Sequence, residues 1–136
     1  MAQSTEILPN GLQLLQDDRF FKLGQDSVLL SAFAKPRRNA KLLDLGCGTG
    51  ALALLVWRPD FKITGLELQD GPLDLFRQSI AANELENVTA LQGDLRQMRT
   101  LLPHGSMDYV ICNPPYFDRN AGANAPTAEK RTARQD

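Results

Sequence analysis

The chain has 136 residues, 43% hydrophobic and 23% charged, with a net charge of −1. That is enough for one domain with a real core, and the composition is ordinary for a globular protein. No apolar stretch approaches the roughly 20 residues needed to span a bilayer. The opening Met1-Ala2-Gln3-Ser4-Thr5-Glu6 lacks the basic and apolar regions of a signal peptide.

The elements follow in chain order. Residues 7–24 read as a hairpin-like or irregular lead-in around the turn signal Pro9-Asn10-Gly11. Asp26 or Ser27 can cap a helix that runs to about Ala34, with Val28, Leu29, Ala32 and Phe33 on its buried face. Lys41–Leu45 reads as a buried strand, and Gly50–Trp57 as a helix stopped by Arg58-Pro59-Asp60. Lys62–Leu68 is a second strand. Asp70-Gly71-Pro72 opens a helix with proline in its first turn, and Leu73, Phe76 and Ile80 recur at helical spacing. Val88–Gln92 is a third strand, Leu95–Leu102 a short helix, and Asp108–Cys112 a fourth strand. Strands alternating with helices predict a Rossmann-like α/β fold, a doubly wound and mainly parallel sheet. The expected organisation is a lead-in and helix over 1–40, a core over 41–116, and a loop with a partial helix over 117–136.

Two motifs carry the chemistry. Asp44-Leu45-Gly46-Cys47-Gly48-Thr49-Gly50 follows the first core strand. Its G-x-G-x-G spacing is tighter than the dinucleotide fingerprint, and it lets backbone pass close to a ligand. It stands at the carboxyl end of a strand, where open α/β sheets bind ligands, and it suits a zwitterionic amino-acid tail near a helix N-terminus. Asp44 can hold an ammonium through water or backbone. Glu67 ends the second strand, 23 residues after Asp44, and can accept from ribose hydroxyls. Asp94 ends the third strand and can accept from an adenine amino group. Leu68 and Leu95, the residues that follow these acids, are counted with the same site. Cys47 reads as a small turn residue, with no neighbouring His or Lys to activate it.

The second motif, Asn113-Pro114-Pro115-Tyr116, follows the fourth strand. Asn113 offers an amide oxygen and Pro114 a carbonyl, each an acceptor for one N–H of a substrate NH2 group. The prolines stiffen the backbone. Tyr116 can stack on a planar substrate. His104 stands alone, and no His/Cys cluster points to a metal. Two distant cysteines, Cys47 and Cys112, argue against a disulfide framework, so a cytoplasmic location is expected. Residues 1–43 carry six Lys/Arg against four Asp/Glu, residues 44–112 five against nine, and residues 113–136 four against three. Basic flanks around an acidic middle fit RNA contact.

On these residues the chain resembles the class I S-adenosylmethionine-dependent methyltransferases. Asp44–Gly50 is similar to their first motif, Glu67 to the acid of their second strand, Asp94 to their third motif, and Asn113–Tyr116 to their amino-methylating motif. Within the class it most resembles the bacterial tRNA adenine N6-methyltransferases that modify valine tRNA. The added cues are Phe20–Leu30, Gly65-Leu66-Glu67-Leu68-Gln69 and Asn113–Phe117. Ala133-Arg134-Gln135-Asp136 departs at its last two positions from the Ala-Arg-His-Glu usual in that family. The resemblance implies S-adenosylmethionine as cofactor, tRNA as substrate, and a base taken out of its stack to reach Asn113. It also implies a longer chain with more strands. The chain is therefore expected to be shortened at its C-terminus, with its fourth strand as a sheet edge able to pair with a second copy. The rival expectations are a protein glutamine N5-methyltransferase, a ribosomal RNA guanine N2-methyltransferase, and a non-catalytic cofactor-binding fragment.

Overall fold

The computed structural model describes residues 3–20, 35–102 and 105–112. A hairpin comes first. β1 (Gln3–Ile7) pairs antiparallel with β2 (Gln13–Asp17), Gln3 opposite Asp17 and Ile7 opposite Gln13. The Asn10 side chain shapes the turn. Its Oδ1 accepts from Leu12 N at 3.2 Å, and its Nδ2 donates to the Leu54 carbonyl at 2.7 Å. The lead-in is thus a regular hairpin docked on the core. The expected helix ending near Ala34 lies outside the described residues.

Among the described residues the core sheet has four parallel strands. β3 (Lys41–Leu45), β4 (Lys62–Glu67), β5 (Val88–Gln92) and β6 (Tyr109–Cys112) lie in the order β5-β4-β3-β6. Leu45 pairs with Leu66 on one side and with Cys112 on the other. The chain steps outward from β3 to β5, then returns to the far side of β3. That reversal opens a crevice at the carboxyl ends of β3 and β6. β3 is central and reads Lys-Leu-Leu-Asp-Leu, with Leu42, Leu43 and Asp44 all buried, as a strand covered on both faces requires.

α1 (Ala51–Leu55) is shorter than expected and ends before Arg58-Pro59. α2 (Asp70–Ala82) begins with the predicted proline turn and buries Leu73, Leu75 and Phe76. The segment read as one short helix is split into a 3-10 turn (Leu95–Gln97) and a single α turn, α3 (Met98–Leu101).

One apolar cluster joins these pieces. Leu8 and Leu14 of the hairpin, Leu42 of β3, Leu52 and Leu54 of α1, Ile63 of β4, and Leu73 and Phe76 of α2 all belong to it. β2 also runs antiparallel along α2 and is stitched to it by polar side chains. Ser79 Oγ accepts from Leu15 N at 2.9 Å, and Asn83 Oδ1 from Gln13 N at 2.8 Å. Asn83 Nδ2 donates back to the Gln13 carbonyl at 2.7 Å. At the amino end of the sheet Asp108 fastens β6 to β3, accepting from Lys41 N at 2.9 Å and from Arg37 Nη2 at 2.8 Å.

Candidate cofactor site at the carboxyl edge of the sheet

The turn after β3 is built on three glycines with positive φ, Gly46 at 62°, Gly48 at 57° and Gly50 at 88°. A side chain at Gly46 or Gly48 would meet nothing within 4 Å among the described residues, so this backbone borders open space there. Gly50 is different. A Cβ there would stand 2.1 Å from the Phe76 ring. Gly65 in β4 meets the same ring at 2.4 Å and Cys47 Sγ at 2.8 Å. Phe76 is therefore the floor of the turn, and two missing side chains make room for it.

Glu67 ties the two strand ends together. Its Oε1 accepts from Gly48 N at 2.7 Å, and its Oε2 accepts from Gln69 N at 2.9 Å. Each carboxylate oxygen has a second lone pair for a hydroxyl. Leu68, the next residue, is 50% exposed, a large apolar side chain bare at the strand end. Cys47 N is bonded to the Leu66 carbonyl at 3.0 Å, which closes the turn onto β4.

Asp44 is 1% exposed and lies beneath the turn. Its carboxyl accepts from Ala53 N–H in α1, yet its Oδ2 is buried without a partner. Burial pushes the group up to about 8, and the nearby Glu67 charge adds to the rise, while the Ala53 amide opposes it. Cys47 is pushed up too, chiefly by burial, so it is a protonated thiol and not a nucleophile.

Asp94 follows β5 and is gripped by Arg96. Its Oδ1 accepts from Arg96 N at 2.9 Å, and its Oδ2 accepts from Arg96 Nη2 at 2.6 Å. The guanidinium holds the carboxyl down at about 2, so it stays ionised. Asp94 is thus a fixed acceptor, not a swinging one. Leu95 opens the 3-10 turn beside it.

The structure brings Asp44, Gly46, Gly48, Gly50, Glu67 and Leu68 together around the carboxyl ends of β3 and β4. Asp94 and Leu95 sit at the end of the neighbouring strand. Asn113, Pro114 and Tyr116 lie outside the described residues, as does His104. Cys112, the residue bonded to Asn113, pairs with Leu45, the residue bonded to Gly46. Sequence reasoning missed the Phe76 floor, the Arg96 clamp and the Glu67–Gly48 bond. The Asp94-x-Arg96 spacing was the only local signal among them. A cavity of about 470 Å³, lined by Leu55, Trp57, Arg58 and Phe61 among others, opens at the amino end of β4, away from this turn.

An acid-rimmed glycine turn at the reversal point of a doubly wound sheet defines a nucleotide-type cofactor binder. A partnerless buried carboxylate oxygen, open space at Gly46 and Gly48, and spare lone pairs on Glu67 fit a ligand with an ammonium group and a ribose. The methyltransferase small domain matches residues 24–131, and the chain belongs to that family. Two curated relatives are named tRNA1(Val) (adenine(37)-N6)-methyltransferase. The one from Pseudoalteromonas translucida is 34% identical over 105 residues, 76% of this chain and 44% of the relative. The one from Shewanella is 35% identical over 113 residues, 80% and 46%. The chain thus spans less than half the length of these relatives. Among solved structures, the M. jannaschii tRNA m1G37 methyltransferase superposes with TM-score 0.65 at 21% identity, over 85% of this chain and 36% of that one. The Pyrococcus abyssi tRNA (uracil-54, C5)-methyltransferase, in complex with S-adenosyl-L-homocysteine, superposes with TM-score 0.64 at 17% identity, over 83% and 28%. Both likenesses are of the fold.

Proposed function

We propose that the chain binds S-adenosylmethionine and serves an N-methyltransferase acting on the exocyclic N6 amine of adenine in tRNA. One observation carries the reading. The parallel β3–β6 pairing aligns Leu45, before the glycine turn, with Cys112, before Asn113-Pro114-Pro115-Tyr116. The residue before the cofactor turn and the residue before the amine-gripping motif are thus paired neighbours. The adenine N6 target is supported by the names of the curated relatives.

When bound, the cofactor supplies a sulfonium methyl group. The chain's residues do the rest. Gly46 and Gly48 leave space for the amino-acid portion, and the orphan Asp44 oxygen draws its ammonium, through water or backbone. Glu67 accepts from the ribose hydroxyls, Leu68 flanks the adenine, and Asp94 accepts from its amino group. Asn113 and the Pro114 carbonyl each accept one N–H of the substrate amine, which turns its lone pair out of conjugation and toward the methyl. Tyr116 stacks on the base. The attacking nitrogen would take the methyl group and release its surplus proton to solvent. We place this chemistry in the cytoplasm, on the tRNA substrate that the names of the curated relatives support. The exposed β6 edge supports pairing with a second copy.

Calorimetric titration with S-adenosylhomocysteine, followed by methylation of a tRNA stem-loop, tests the reading. Asn113→Ala is expected to abolish transfer and leave cofactor affinity within a few-fold. Loss of cofactor binding in that variant would remove Asn113 from the substrate side.

A further inference from the structure

The end of the hairpin carries a side-chain arrangement that the cofactor site does not use. Asp17 closes β2 and is 3% exposed. Its Oδ1 accepts from Arg19 N at 2.9 Å and Arg19 Nε at 3.1 Å, and its Oδ2 from Arg19 Nη2 at 2.9 Å. One guanidinium edge is thereby chelated by a buried carboxylate. The Arg19 Cζ atom lies 5.3 Å from the centroid of the Phe20 ring and over its face. Phe20 in turn packs on Gly71, where an added Cβ would come within 2.4 Å of the ring. Held at an edge and backed by a ring, the Arg19 side chain remains 60% exposed.

Its place in the fold is settled by β2 and α2. Gln13 bonds Asn83 near the end of α2, Leu15 bonds Ser79, and Phe20 reaches Gly71 at the start of α2. The start of α2 follows Glu67 by a few residues. Arg19 and Phe20 therefore stand at the carboxyl edge of the sheet, the edge that carries the glycine turn.

We propose that Arg19 is a nucleotide-docking residue for the RNA strand entering this site, taking a base on its exposed guanidinium face. The inference rests on the RNA reading above. Unpaired bases in RNA recognition stack on aromatic rings or on guanidinium planes. Phe20 and Arg19 form a two-layer platform of that kind, and the next layer outward is a base. The buried Asp17 carboxylate offsets the Arg19 charge, so the platform works by planarity and donor direction more than by net charge. Lysine keeps the charge but has neither the plane nor the fork.

The test is fluorescence anisotropy with a labelled RNA stem-loop bearing unpaired adenines, at saturating S-adenosylhomocysteine. Wild type, Arg19→Ala and Arg19→Lys are compared, with calorimetric cofactor affinity and melting temperature measured alongside. Both variants are expected to bind RNA about tenfold more weakly, with cofactor affinity within twofold; Arg19→Ala is expected to melt lower than wild type because Asp17 loses its side-chain partner, whereas Arg19→Lys keeps a cation beside it. Wild-type RNA affinity in Arg19→Lys would overturn the platform and leave a simple charge contact. Wild-type affinity in both variants would remove Arg19 from the RNA surface while leaving the methyltransferase reading intact. Failure of the wild-type chain to bind RNA would overturn both.

Discussion

Asp44 concentrates the tension of the site. It is a carboxyl buried under a ligand turn, with one oxygen bonded to Ala53 N–H and the other bonded to nothing. A partnerless buried carboxylate is costly when ionised, and its rise from 3.8 to about 8 is the measure of that cost. The sign of the pH effect follows. Between these two values the folded chain holds a proton that the unfolded chain releases, so stability is greatest at the acid end and falls as pH rises through about 8. Melting temperature recorded from pH 6 to pH 9.5 is expected to fall in the wild type and to fall less in Asp44→Asn. Parallel curves for the two proteins would show that the proton sits elsewhere. The acid itself was legible in the sequence from its place before the glycines. Its isolation was not, because an orphan oxygen is defined by every group that fails to reach it.

The elements show why the turn needs its particular glycines. Gly46 and Gly48 are backbone devices facing open space, whereas Gly50 and Gly65 are spaces filled by Phe76. Phe76 is fully buried and lies on the first face of α2, three residues after Leu73. Truncation of such a ring leaves a cavity and is expected to cost about 3–5 kcal/mol. Phe76→Ala, measured by urea unfolding, is therefore expected to destabilise by that amount and also to weaken S-adenosylhomocysteine binding, since the floor of the turn is lost. Unchanged cofactor affinity in a variant that still folds would show that the turn holds its shape without the ring. Helical periodicity already placed Phe76 on the buried face of α2. The contact with Gly50 is a tertiary fact, since 26 residues separate the partners. The 3-10 turn at Leu95–Gln97 has a similar origin. Arg96 folds back on Asp94 and Gln97 N bonds the Asp94 carbonyl at 2.8 Å, a local closure that competes with the short helix expected over Leu95–Leu102.

At the scale of the molecule, β5 and β6 are the outer strands of the four-stranded sheet among the described residues. β6 shows Val110 at 55% exposure, beside Tyr109 at 38%. A strand edge with exposed apolar side chains is a template for pairing with another chain. Sedimentation velocity is expected to show concentration-dependent association of the wild-type chain and less of it for Val110→Lys, which puts a charge on the edge. A wild-type chain that stays monomeric up to high micromolar concentration would remove self-pairing.

Local pattern by itself determined much of this protein. Strand and helix periods fixed the bounds of β3 and β5 and the start of α2, and Asp44 and Glu67 already stood at strand ends. Period and turn chemistry are properties of neighbouring residues, so they can be read along the chain. The order β5-β4-β3-β6, the docking of the hairpin on α2, the Glu67 bond to Gly48 and the packing of Phe20 on Gly71 were decided only by the tertiary structure. Each joins segments distant in sequence, or depends on which side of the sheet the chain returns to, and no local spacing encodes those choices.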